Sequence, residues 1–142
     1  MRRELVLVCR GCAGRIYGDD GYLWVDTEEV NTAQERWAGY RERSAERRAR
    51  GRPTDLLDMI DCGELVYWQA HHATCDPTPR EAHYRIEARK LRTRADLLEW
   101  SAHLMGKMWL PRTDWQDVMC ETRAGGRRFA PVGTPQHPIP AL

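Results

Sequence analysis

Two short motifs hold the residues with the clearest chemistry: Cys9-Arg10-Gly11-Cys12 near the start of the chain and His72-Ala73-Thr74-Cys75 in its middle. Each places two soft or borderline donors with two residues between them, the spacing at which one backbone turn aims both side chains at one ion. Together they complete a tetrahedral zinc set, so Cys9, Cys12, His72 and Cys75 read as one structural site with Zn as its cofactor. A closed four-ligand site leaves no open position for a substrate, and it speaks to how the fold is held more than to a reaction. Two substitutes stay open. Adjacent histidines at a strand end point opposite ways, so only one of His71 and His72 can ligate, and Cys62 is the other possible replacement.

A second chemistry is electrostatic. Six arginines between Arg41 and Arg52 face only Glu42 and Glu46. With Arg85 and Arg89 further on, the cluster Arg41, Arg43, Arg47, Arg48 and Arg50 could contact the phosphates of DNA or RNA. Against this stands an ordinary solvated helix face, since Glu35, Glu42 and Glu46 can pair with arginines a turn away. Arg123, Arg127 and Arg128 could add to a basic patch. Six tryptophans are many for this length. Trp24, Trp37, Trp68 and Trp115 fall on expected inward faces, whereas Trp100 and Trp109 lie off the main stripe and are candidates for binding a partner such as a host protein.

An enzymatic alternative exists. His71-His72 after a strand, Asp96, and His103 on a helix loosely match a histidine-metal (HNH-like) nuclease, but the asparagine of that pattern is absent and His72 is already claimed by the zinc set. No glycine-rich phosphate loop follows a strand, and no serine or cysteine has a base near it in sequence. Asp19-Asp20 could bind a cation, yet a Gly-Asp-Asp-Gly turn needs none.

The elements that must position these residues follow from pattern. Glu4 to Val8 is a short strand entering the first knuckle, and Ile16-Tyr17 with Tyr22 to Val25 reads as a hairpin around Gly18-Asp19-Asp20-Gly21. Asp26 or Thr27 caps a long helix with Glu28 and Glu29 in its first turn, and Val30, Ala33, Trp37 and Tyr40 draw one apolar stripe. Beyond Tyr40 the stripe stops, so the arginine-rich half should project from the body until Gly51 and Pro53 end it. Leu56 to Ile60 is a short apolar segment. Glu64 to Ala70 reads as the strand that delivers the second knuckle, and Tyr84, Ile86 and Ala88 alternate as another. Thr93 and Asp96 form a near capping box for a helix burying Leu97, Leu98, Ser101, Leu104, Met105 and Met108. Thr113 caps a last short helix, Asp114 to Glu121, with Trp115, Val118 and Met119 inward.

At 142 residues and a net charge of +1, one domain with one core is expected, and the overall charge neither demands nor excludes a polyanion partner. Five cysteines without an export signal argue for metal ligation over disulfides, leaving Cys62 and Cys120 as small core residues. No apolar run reaches membrane-spanning length, so a soluble, cytoplasmic protein is expected. The domain should cover 1–122, and the Gly/Pro-rich stretch 123–142 should be a flexible tail.

The knuckle Cys9-x-x-Cys12 with Gly21-Tyr22-Leu23-Trp24-Val25, the run Trp68 to Pro77, the run Leu91 to Lys107, and Thr113-Asp114-Trp115 together resemble small zinc-knuckle proteins of actinobacteria and their phages, over about residues 4 to 121. The resemblance brings no activity with it.

The expected fold is α+β: a small antiparallel sheet with a split zinc-ribbon-like site, one inserted long helix and a C-terminal helical pair. The expected function is that of a non-enzymatic binding protein, regulatory or accessory, with nucleic acid preferred over a protein partner; a phage-type adaptor or inhibitor is the alternative and the nuclease the second alternative.

Overall fold

The computed structural model describes residues 5–53, 56, 63–77 and 83–130. Their architecture is α+β. Three strands form one antiparallel sheet: β1 (Gly21–Val25) in the centre, β2 (Gln69–His72) on one side and β3 (Tyr84–Glu87) on the other. The helices are α1 (Thr27–Ala49), between β1 and β2, and α2 (Arg94–Met105) with α3 (Trp115–Ala124) after the sheet.

All five residues of β1 are buried, because each of its faces is covered. Register sets which residues share a face: Leu23 lies between Ala70 and Ile86, whereas Tyr22 lies between His71 and Glu87. Leu23, Val25, Ala70 and Ile86 therefore join the apolar core with Val30, Leu97, Leu104, Trp115 and Val118. Tyr22, Trp24 and His71 line the opposite face, which is polar and aromatic: Trp24 Nε1 donates to His71 Nδ1 at 3.0 Å, and Tyr22 donates its hydroxyl hydrogen to Asp76.

The helix signals act as expected. Asp26 caps α1 by accepting from the Glu28 and Glu29 amides at 2.9 and 3.3 Å, and Gly51 supplies a positive φ of 71° just after its end. Thr93 and Asp96 form the complete capping box of α2. Val30 and Ala33 are buried, while Trp37 is half-buried beneath the Arg112 guanidinium, 3.9 Å from its ring centroid. The arginine-rich half of α1 does not project entirely, since Ser44 within it is 5 % exposed.

Several expectations are corrected. Ile16 does not pair with β1: its amide donates to the Leu7 carbonyl, and Val8 bridges Arg15, so the first knuckle closes its own small ladder. The Gly18–Gly21 stretch is then a turn into β1, held by Asp20 N donating to Tyr17 O at 3.1 Å. The second strand begins later than Glu64, because Val66 and Trp68 are bonded instead to the 112–114 segment. Thr113 does not cap α3. Asp114 occupies the cap position without a side-chain cap bond, and both side chains are committed to Trp68: Thr113 Oγ1 accepts from its indole Nε1 at 3.0 Å, and Asp114 Oδ1 from its amide at 2.8 Å.

The inward face of α2 is narrower than expected. Leu97, Ser101 and Leu104 are buried, but Leu98, Met105 and Met108 are 72, 76 and 88 % exposed. On α3, Met119 is exposed as well. The domain also continues past 122, because Phe129 is fully buried, bridges Leu7 and is flanked by amide bonds from Val8 to Arg128 O and from Ala130 to Val6 O. Cys62 and residues 57–60 and 131–142 lie outside the described residues, and Leu56 is exposed. No helix among the described residues is long and apolar enough to cross a membrane.

Candidate metal centre

The two knuckles converge. One ligand atom each from Cys9, Cys12, His72 and Cys75 lies within 4.8 Å of all the others, although sixty positions separate Cys12 from His72. A tetrahedron with metal–sulfur bonds near 2.3 Å and a metal–nitrogen bond near 2.0 Å has nitrogen–sulfur edges of about 3.5 Å. The observed separations of His72 Nδ1 from the sulfurs of Cys12 and Cys75, 3.3 and 4.0 Å, bracket that edge. The three-sulfur, one-nitrogen donor set fits a tetrahedral ion of the zinc type.

Local structure explains the convergence. In the first knuckle the Cys9 amide donates to Gly14 O and the Ala13 amide to Cys9 O, both at 2.8 Å, with Ala13 carrying the left-handed φ of 61° that reverses the chain. Glycine at 11 admits the second knuckle: a Cβ there would sit 3.2 Å from Cys75 Cβ. Arg10 N donates to Ala70 O at 2.8 Å and pins the first knuckle to the edge of β2. The second knuckle is one 3-10 turn, Ala73–Cys75, that begins where β2 ends.

Main-chain donors prepare the sulfurs. Cys9 Sγ accepts from the His72 amide and Cys12 Sγ from the Gly14 amide, each at 3.4 Å. Burial pushes the Cys9 thiol up, but hydrogen bonds from the amides of His72, Cys12 and Gly11 outweigh it and bring Cys9 down to about 6. Cys75 moves the other way: burial raises it, and the neighbouring Cys9 and Cys12 sulfurs raise it further. Opposite shifts at neighbouring sulfurs are what closely grouped thiols produce, since each negative charge disfavours the next.

The choice between the adjacent histidines is resolved. His72 Nε2 lies 3.0 Å from the Arg15 carbonyl, which can only accept, so Nε2 carries the hydrogen and Nδ1 faces the sulfurs as a ligand. His71 points to the other face, 3 % exposed, where burial lowers its pKa and its Nδ1 accepts from Trp24.

The other sequence candidates are more dispersed. On α1, Arg41, Arg43, Arg48 and Arg50 are exposed and Arg47 is half-buried, with Arg50 paired to Glu46 at 3.0 Å. Acids and arginines are interleaved on this helix: Glu28, Glu35 and Glu42 recur at heptad spacing, Glu29 shares its heptad position with Arg36, Arg43 and Arg50, and Arg36 pairs with Glu64 at 3.9 Å. Arg85 covers the Tyr22 ring at 5.0 Å, and Arg89 is engaged by Glu87 and Asp19. Trp100 and Trp109 are half-buried and pack against the core, Trp109 lying against Trp68 and Tyr84 with centroids 6.2 and 5.3 Å apart. His71, Asp96 and His103 do not gather into a nuclease centre. Among the described residues the one candidate ligand group is the Cys/His set; Asp96 is spent on its capping box, and His103 stands on the exposed side of α2 against Trp100.

Sequence reasoning missed Arg10 and Tyr67, which line a groove beside the first knuckle together with Arg127, a residue already noted for a basic patch. For Tyr67 a signal existed: Leu65 and Tyr67 alternate with buried Val66 and Trp68, the pattern of an extended segment with one outward face. Compared with protein-family models, with curated proteins and with solved structures, the chain matches none.

Proposed function

We propose that this chain is a zinc-stabilised, non-enzymatic protein that associates with nucleic acid. Cys9, Cys12, His72 and Cys75 would hold the ion, whose contribution is to tie the N-terminal knuckle to the end of β2. All four positions of a tetrahedral ion are then filled by protein, which suits a structural clamp and leaves none for a reacting water. The observation that carries the nucleic-acid reading is the arginine-rich second half of α1, where Arg41, Arg43 and Arg48 are exposed, while Arg50 at its end is paired with Glu46. Arginines so arranged supply phosphate contacts without base selectivity, and binding through them falls steeply as salt rises.

Elemental analysis tests the first half, with one zinc per chain expected. A mobility-shift titration across salt concentrations tests the second: salt-sensitive retardation of DNA or RNA is expected, and its absence would refute nucleic-acid binding. A protein partner is the second reading, favoured by the exposure of Leu98, Met105 and Met108 along and just beyond α2. Affinity capture with Leu98→Ser/Met105→Ser as the control separates it, because those changes leave the arginines intact.

A further inference from the structure

The solvent side of α2 carries an apolar strip. Leu98 and Met105 stand one heptad apart and are both largely exposed, with exposed Ala95 and Ala102 each preceding one of them by three positions. Singly exposed apolar residues need no explanation, but Ala95, Leu98, Ala102 and Met105 together fill the a and d positions of two successive heptads. The centre of this strip lies roughly 130° round the helix from the buried stripe of Leu97 and Leu104, so it faces away from the body.

Opposite charges border the strip. Arg94 stands on one side of it at a g position and Glu99 on the other at an e position, both exposed. In a parallel pair of helices each g residue faces the following e residue of the other helix, so Arg94 of either copy meets Glu99 of the other. An antiparallel pair sets g against g and e against e, and these two charges do not meet. The second g and e positions are complementary in shape. Ser101 at g is buried and its hydroxyl donates to Met119 Sδ at 3.4 Å, while the following e position is Gly106, which has no side chain. The exposed part of Met119 therefore has room against a second copy and carries the contact from α2 onto α3.

We propose that two copies of this chain associate through the outer strip of α2 as a parallel, two-fold helix pair, with Leu98 and Met105 in the seam and Arg94 of each copy beside Glu99 of the other. The inference gives the protein-partner reading above one definite occupant and is independent of nucleic-acid binding through α1. A two-fold pair is self-complementary, so the same strip serves both sides and the contact closes at two copies. The helix is held by its own body before association, so no folding cost opposes so short a seam.

A strip about 18 Å long buries less than a standard interface, so the dimer should be weak and half-dissociated at about 10–100 μM. Sedimentation equilibrium of the full chain from about 5 to 500 μM should show the mean mass rise from one chain toward two. Leu98→Ser should weaken association at least about tenfold, with thermal melting unchanged because the side chain is exposed. Glu99→Arg should weaken it about fivefold by setting like charges together, and adding Arg94→Glu should restore it. Neither charge change touches the buried stripe or the Thr93–Asp96 capping box, so this swap decides the matter even if Leu98→Ser folds poorly. A mass that stays at one chain throughout, a dimer indifferent to Leu98→Ser or Glu99→Arg, or a double swap that brings no recovery would overturn the pairing. A monomer that still captures another protein through Leu98 and Met105 would overturn the pairing and leave the protein-partner reading standing.

Discussion

Arg128 reaches back to Asp114, whose side chain is 1 % exposed, and the pair closes around the main chain of Trp68. Asp114 accepts from the Trp68 amide at 2.8 Å and Arg128 donates to the Trp68 carbonyl at 3.2 Å. The ion pair therefore replaces the strand neighbour that Trp68 lacks at the outer edge of the sheet, and it satisfies two main-chain groups that would otherwise be buried without partners.

Removing Arg128 leaves the buried Asp114 carboxylate without its cation, which costs about 3–5 kcal/mol, and Arg128→Met should lower unfolding stability by that order in urea denaturation. Asp114→Ala should cost less, because Arg128 keeps its ion pair with Glu121.

Gly21 and Gly18 should respond to alanine through different physics. A Cβ at Gly21 would lie 2.3 Å from the His71 carbonyl oxygen, inside the β1–β2 pairing, so the backbones must separate. Gly21→Ala is expected to lose about 3 kcal/mol, the upper range for overpacking. Gly18 has open space around it but a φ of 58°, so Gly18→Ala should lose only about 1 kcal/mol from the left-handed conformation. Chemical denaturation of the two variants side by side checks the ordering.

If the Cys/His set holds an ion as proposed, removing it should loosen the two knuckles together. Ligands must be deprotonated to bind metal, so affinity should fall as pH falls, and a chelator should strip the ion more readily at pH 6 than at pH 8. Cys12→Ser, which removes the most exposed ligand, should bind zinc more weakly than wild type by a zinc-indicator competition assay, with a lower melting temperature.

Tyr22 gives the fold an alkaline limit. Burial, then the hydrogen bond to Asp76 and the charge on that carboxylate, push its hydroxyl up to about 12, with Arg85 acting in the opposite direction. The folded state thus holds the proton more tightly than the unfolded chain, whose tyrosine titrates near 10. This contribution is complete below pH 10 and is lost as pH rises from 10 toward 12. Tyr22→Phe should cost roughly 1–2 kcal/mol at neutral pH and flatten the stability profile over that alkaline window, as measured by denaturation at pH 9 and 11.

What was legible in the chain was chiefly local. The convergence of Cys9, Cys12, His72 and Cys75 could be read because two donor pairs at a fixed spacing suit one shared site, and the caps of α1 and α2 because Asp26 and Thr93-Asp96 act within one turn. Ile16 was misplaced because a residue flanked by turns has the same local pattern whether it pairs forward with β1 or back with Leu7; only the closure of the knuckle decides. Leu98 and Met105 fall beside the buried stripe of α2, and periodicity cannot say how wide a contact face will be. Phe129 is the sole phenylalanine, set among arginine, glycine and proline, and its burial follows from a pairing with Leu7 that no nearby residue announces.

That pairing has a practical corollary for anyone trimming the gene. The 128–130 segment and the first described residues of the chain are laced together by amide bonds, and the lacing ends one residue before the first sulfur ligand. Cutting at 124, where composition suggests a dispensable end, would release a stay on the first cysteine knuckle and expose the hollow that Phe129 fills. A shortened chain should therefore keep the residues through Ala130, which lie beside Val6.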